Sequence, residues 1–239
     1  MDDREAIRRE VEKRRISRLC HFTQARKLPY ILGNPEGVLS TKLLMEQSPD
    51  VANYNDPHRL DGYLDYVCCS VEYPNSWYLN RVKKQDPVFQ DWVILFIDPS
   101  LVWREGTSFC PRNAAASFGR HVVSGYSGFL SLFRPLSRGA YGFTYRRAER
   151  MLECCPTDGQ AEVLVHRNVP RNKILAVAVG SRGQLIEERN RLRFAREFMP
   201  DVVEVPWVVC PHLFDNSWRD FIERGERPPE EIVEVSTNE

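Results

Sequence analysis

Cys155-Pro156-Thr157-Asp158-Gly159-Gln160-Ala161-Glu162-Val163-Leu164-Val165 is a turn-rich loop that runs into an apolar strand. Pro156 and the Asp158-Gly159 pair set the turn. Ala161 to Val165 reads as a buried strand. Gln160 and Glu162 stand two residues apart, so on a strand both side chains point to one face. Glu162 lies at the strand's beginning, where a carboxylate can look into a cleft.

Other elements fall on either side of this stretch. Trp92 to Ile97 (Trp-Val-Ile-Leu-Phe-Ile) is the clearest buried strand, ended by Asp98-Pro99. Ile174 to Val179 is a further strand, joined to Ala161–Val165 through Asn168-Val169-Pro170. Leu64 to Val71 reads as a strand broken by Tyr73-Pro74-Asn75, with a helix from Ser76 to Val82. Cys20 to Thr23 is a short strand, followed by a helix from Ala25 to Leu32. Gly33 to Gly37 is a turn cluster, and Val38 to Ser40 resumes an extended path. Gln184 to Phe198 is a charged helix, and Val202 to Val209 a last strand. Asp2 to Leu19 reads as a solvated N-terminal helix with a basic face of Arg8, Arg9, Lys13, Arg14 and Arg15. The tail, Arg227 to Glu239, is acidic and is expected to be disordered. Short strands with a few helices give an α+β fold. With no repeat and no linker, residues 1–239 read as a single domain.

The chain has 239 residues, with 33 basic and 33 acidic side chains, so any nucleic-acid contact must come from a local patch. That patch is Arg112 to Arg150. Arg112, Arg120, Arg134, Arg138, Arg146, Arg147 and Arg150 face Glu149 alone, and Phe129, Phe133, Tyr141, Phe143 and Tyr145 are interleaved with them. Cationic grooves with aromatic platforms hold single strands. The seven cysteines include two adjacent pairs and no Cys-x-x-Cys, which is neither a disulfide framework nor a zinc pattern. The five histidines, His21, His58, His121, His166 and His212, have no paired spacing, so no metal is expected. Ser124-Gly125-Tyr126-Ser127-Gly128 misses the nucleophile-elbow spacing. The densely charged start excludes a secretory signal. No apolar stretch approaches the ~20 residues that cross a bilayer. A cytoplasmic protein without membrane contact is expected.

Gln-x-Glu at a loop–strand junction resembles the catalytic signature of ADP-ribosyltransferases. Three further pieces accompany it in order: His21-Phe22-Thr23 with Leu28-Pro29-x-Ile31-Leu32, then Gly37-Val38-Leu39-Ser40, then Arg112-Asn113-Ala114-Ala115. Together they resemble the DarT family, whose pattern is His-x-Thr, an Asn-Leu-x-x-Ile helix, Gly-Leu-x-Ser and Asn-Ala-Ala. The resemblance spans about Leu19 to Val179. It implies an ADP-ribosyltransferase-like fold, a central split antiparallel or mixed β-sheet with flanking helices. It also implies NAD as co-substrate and a base in single-stranded DNA or RNA as acceptor. The biological setting would be a toxin or phage-defence effector controlled by a cognate antitoxin.

The residues then take roles. Glu162 holds the ribose 2′-hydroxyl and stabilises positive charge as nicotinamide leaves. Gln160 orients the base, since an amide both donates and accepts. His21 and Thr23 contact ribose, with Phe22 and Ser70 beside them. Tyr73, Trp77 and Tyr78 stack on nicotinamide. The family's assisting arginine is expected where Asn75 stands, and Arg81 is its candidate substitute. Arg112, Asn113, Arg134, Arg138, Arg146 and Arg147 are assigned to nucleic acid. Two alternatives remain open: an inactive NAD- or nucleic-acid-binding module, and an enzyme that modifies protein.

Overall fold

The computed structural model describes residues 2–47, 60–86, 88–138 and 143–234. His58, Tyr141 and the end of the acidic tail lie outside the described residues. The strands are β1 (Leu19–Gln24), β2 (Val38–Leu39), β3 (Tyr66–Val71), β4 (Trp92–Ile97), β5 (Ser108–Cys110), β6 (Val123–Ser124), β7 (Leu136–Arg138), β8 (Thr144–Arg146), β9 (Glu162–His166), β10 (Asn168–Val169), β11 (Ile174–Val179), β12 (Trp207–Val209) and β13 (Glu231–Val233). The helices are α1 (Asp3–Arg14), α2 (Leu28–Gly33), α3 (Thr41–Gln47), α4 (Ser76–Gln85), α5 (Gly125–Ser131), α6 (Arg182–Arg196), α7 (His212–Asp215) and α8 (Trp218–Glu223).

Among the described residues, nine strands join one sheet in the order β13-β12-β11-β4-β1-β3-β9-β5-β6. β11 and β12 run parallel while β4 meets both β1 and β11 antiparallel, so the sheet is mixed. β4 is apolar and buried at all six residues, as a strand covered on both faces should be. β1 is paired to β4 along its whole length, from Leu19↔Ile97 to Gln24↔Trp92. To β3 it is paired only at Leu19↔Val71 and Cys20↔Ser70. Beyond Cys20 the two strands diverge, and the sheet opens as a fork.

Three readings of the sequence need correction. The first helix ends at Arg14, and Leu19 already belongs to β1. Nor is that helix only a solvated basic face: Ala6, Ile7 and Val11 are buried, and it packs on α5. Arg8 and Arg9 pair with Glu5, Lys13 and Arg14 pair with Glu10, and Arg14 also lies 4.2 Å over the Phe133 ring. The strand expected over Val202–Val209 is confined to Trp207–Val209, since Pro206 offers no amide to a ladder. Within the tail, Glu231–Val233 is an edge strand paired to β12. Its charges are partnered, which the composition does not reveal: Arg18 forks onto Glu230, with its Nη1 donating at 2.8 Å, and Arg182 pairs with Glu231.

A buried carboxylate governs the turn after β3. Glu72 is fully buried with φ 62°, a left-handed backbone that strains any residue with a Cβ. Its carboxylate accepts from the Ser17 amide, from Ser17 Oγ at 3.1 Å and from Arg227 Nη1 at 2.9 Å. The strain is offset by charge-assisted bonds that no solvated conformation retains.

Glu188 on α6 is the opposite case. It is fully buried, neither carboxylate oxygen has a hydrogen-bond partner, and the Arg191 guanidinium stands 3.5 Å away. Burial raises its pKa from 4.5 to about 6. A folded pKa above the unfolded one means that ionisation costs stability, and the cost grows as pH rises from 4.5 through 6. Glu188→Gln is therefore expected to be more stable than the native chain at pH 7.5 by about 2 kcal/mol, and equal to it at pH 4. Chemical denaturation at both values checks this, and a variant less stable at pH 7.5 contradicts it.

Candidate active site

The fork encloses a cavity of about 410 Å³, within the range of small-molecule sites. One wall is β1, through His21, Phe22 and Thr23, and the other is β3, through Tyr66 to Ser70. Where the backbones separate, a side chain bridges them: His21 Nδ1 lies 2.8 Å from the Cys68 carbonyl. A carbonyl only accepts, so Nδ1 carries the proton and donates.

Glu162 is the first residue of β9 and lines the same cavity, half-buried. β9 pairs with β3 through Cys69↔Val163, so one step on Glu162 is level with Ser70 and, across the sheet, with Cys20. Thr23 is buried, Ser70 and Tyr78 line the cavity, and Phe22 packs against Tyr78 and Trp92 at 6.1 and 5.9 Å. Asn75 also lines it, but its Oδ1 caps α4 by accepting the Tyr78 amide at 3.0 Å. Two of the three cavity thiols are held protonated by burial, Cys20 pushed up to about 12 and Cys69 further, so neither of these two is a ready nucleophile.

Several assigned residues lie elsewhere. Tyr73 does not line the cavity: the left-handed turn at Glu72 sends it into the core, stacked on Trp218 at 5.0 Å and beneath the Arg18 guanidinium. Trp77 and Arg81, four residues apart, share the exposed face of α4, with Arg81 5.8 Å over the indole, and neither lines the cavity. Gln160 precedes the strand, in a turn where its backbone N–H donates to Asp158 Oδ1 at 2.9 Å. Strand periodicity therefore does not place it on the face of Glu162. Among the described residues, the lysine or arginine that does line the cavity is Lys27, half-buried between β1 and α2, which the motif reading passes over.

The basic segment divides in the same way. Arg147 donates to the carbonyls of Cys155 and Leu152 at 2.7 and 2.8 Å, holding the start of the Glu162 loop. Arg112 donates to the Arg138 carbonyl at 2.6 Å, and Asn113 is part of the cavity wall. Phe129 and Phe133 are core residues, not platforms. Arg134, Arg138 and Arg146 are exposed, the last two on the β7–β8 pair, and Phe143 beside them is 68% exposed.

Residues 20–208 match the family described as ssDNA thymidine ADP-ribosyltransferase, DarT. The chain belongs to the DarT family. It is thus an NAD-dependent ADP-ribosyltransferase, and the family's description names single-stranded DNA, not RNA. The DarT fold is also found by structural likeness. Thermus sp. 2.9 DarT in complex with NAD+ matches at 18% identity and a TM-score of 0.54, covering 83% of this chain and 98% of that one. The same protein with ADP-ribosylated ssDNA matches at 16% identity and 0.54, covering 84% and 97%. Thermosipho africanus DarTG in complex with ADP-ribose matches at 16% identity and 0.55, covering 83% of this chain and 51% of that one. The chain thus spans about half the DarTG length. Curated protein sequences give no match. Among the described residues, no helix is long and apolar enough to cross a membrane.

Replacing His21 by alanine removes the bridge across the fork and leaves the Cys68 carbonyl to water. The expected cost is about 1 kcal/mol, a few degrees in melting temperature, with NAD affinity falling by about tenfold or more. A melting curve and a calorimetric titration read both quantities. A folded variant with native NAD affinity contradicts this placement.

Proposed function

We propose that the chain transfers ADP-ribose from NAD to thymine in single-stranded DNA, with Glu162 as the catalytic carboxylate. The observation that supports this most is Glu162 at the root of the fork, level with Ser70 and in one cavity with His21 and Thr23. As the bond from nicotinamide to ribose breaks, positive charge develops on the ribose. A fixed carboxylate beside it stabilises that charge without reorganising. His21 and Thr23 hold the ribose, and Tyr78 with Phe22 supplies an aromatic wall. The base then takes the place of nicotinamide and gives up a proton.

Gln160 sits on the loop that ends at Glu162, outside the cavity wall, which suits a residue that meets the incoming base and not the dinucleotide. Its donor and acceptor match the edge of thymine. Arg134, Arg138 and Arg146 line up the phosphates of a single strand, and Phe143 offers an exposed ring for stacking. A single strand suits this arrangement, because its bases need no unpairing to reach the ribose. In the cell the chain acts as a cytoplasmic toxin restrained by a cognate antitoxin protein.

The test uses labelled NAD with separate pools of thymine-containing and thymine-free single strands, duplex DNA, RNA and protein. Label is expected on the thymine-containing single strand. Glu162→Gln, which keeps shape and loses charge, should lower transfer by about a hundredfold or more with the fold intact. Label on protein and none on DNA favours a protein-modifying enzyme. NAD binding without transfer to any pool favours an inactive module. Unchanged transfer by the variant removes Glu162 from its role.

A further inference from the structure

Charge in the cavity is separated along β1. Glu162 is level with Cys20, near the start of that strand. Lys27 lies past its other end, where the turn Ala25–Lys27 enters α2. Cys20 and Gln24 are four strand residues apart, about 13 Å. Glu162 and Lys27 both line the one cavity, and among the described residues Lys27 is the lysine or arginine that does so; Ile31 and Met199 are among the apolar residues of the same wall.

We propose that Lys27 binds the pyrophosphate of NAD and so fixes which way round the dinucleotide lies. The inference rests on the reading that this cavity takes NAD. The dinucleotide is itself polarised, positive on the nicotinamide ring and negative on the pyrophosphate. A carboxylate at one end and an ammonium at the other match that polarity in one orientation only. Reversal would put the phosphates against the Glu162 carboxylate and the nicotinamide cation towards the Lys27 ammonium, like charge facing like at both ends.

The lysine carries the mark of that desolvation. Burial, with Arg26 adding a like charge, lowers its pKa from 10.5 to about 8. A bound diphosphate favours the ammonium and raises the value again. NAD affinity is then complete below pH 8 and declines above it, and binding near pH 8 takes up a proton. Other titratable groups face the same space: His21, Asp61, Glu162, the phenols of Tyr30, Tyr66 and Tyr78, and three cysteine thiols. A variant whose charge does not titrate separates Lys27 from these.

The native chain, Lys27→Met and Lys27→Arg are titrated calorimetrically with NAD, with ADP-ribose and with nicotinamide riboside, which has no phosphate. Measurements run from pH 7 to 9 in buffers of different ionisation enthalpy, with melting curves to establish folding. Lys27→Met is expected to weaken NAD about ten- to a hundredfold at pH 7 and to leave nicotinamide riboside unchanged. Lys27→Arg is expected to keep NAD affinity and lose the proton uptake. Native NAD affinity in Lys27→Met, or equal loss of both ligands, overturns the assignment. So does proton uptake that persists in Lys27→Arg. A native chain that binds nicotinamide riboside and ADP-ribose but not NAD also overturns it. One that binds none of the three overturns the dinucleotide reading itself.

Discussion

β1 is paired to β4 at six positions and to β3 at two, and that asymmetry creates the site. A sheet that separates leaves backbone donors and acceptors facing one another across a gap, which is costly unless something fills it. Here a His21 nitrogen answers the Cys68 carbonyl across the opening. The same divergence brings strand side chains to a cavity wall that would otherwise be buried between adjacent strands. Binding capacity is thus a consequence of interrupted pairing, held open by the fully paired β1–β4 side of the sheet.

The fork needs its root fixed, and charge does this. Glu72 turns the chain in a left-handed conformation directly after β3, its carboxylate bound to Ser17 and Arg227. Its carbonyl accepts from Arg18 Nε at 2.9 Å, and Arg18 pairs onward with Glu230, at the entry to β13. The segment before β1, the turn after β3 and the C-terminal strand are therefore tied together at one place. Buried pairs of this kind add little against an apolar alternative, but losing one partner leaves the other stranded. The network specifies the turn more than it strengthens the sheet.

Much of this was legible in the sequence because it rests on local rules. β4 and β11 are continuous apolar runs, and β1 and β9 carry the motif residues, so their positions followed from pattern alone. Glu162, His21, Phe22, Thr23, Ser70, Asn75 and Tyr78 do share one cavity. What stayed hidden depends on long-range geometry. Tyr73 lies in the core because of a backbone angle at Glu72 that a glutamate does not advertise. Arg147 and Arg112 spend their charge on backbone carbonyls, which composition cannot distinguish from a groove. The tail's acidity suggested solvation, whereas Glu230 and Glu231 have arginine partners distant in sequence.

The proposal as a whole stands or falls with a dinucleotide in the opening between β1 and β3. A crystal structure of this chain with a non-hydrolysable NAD analogue tests it most directly. The analogue is expected between the two strands, its nicotinamide ribose within hydrogen-bond reach of Glu162 and β1 still paired to β3 only at Leu19 and Cys20. An analogue bound elsewhere, or a fork closed by continued β1–β3 pairing, would contradict it.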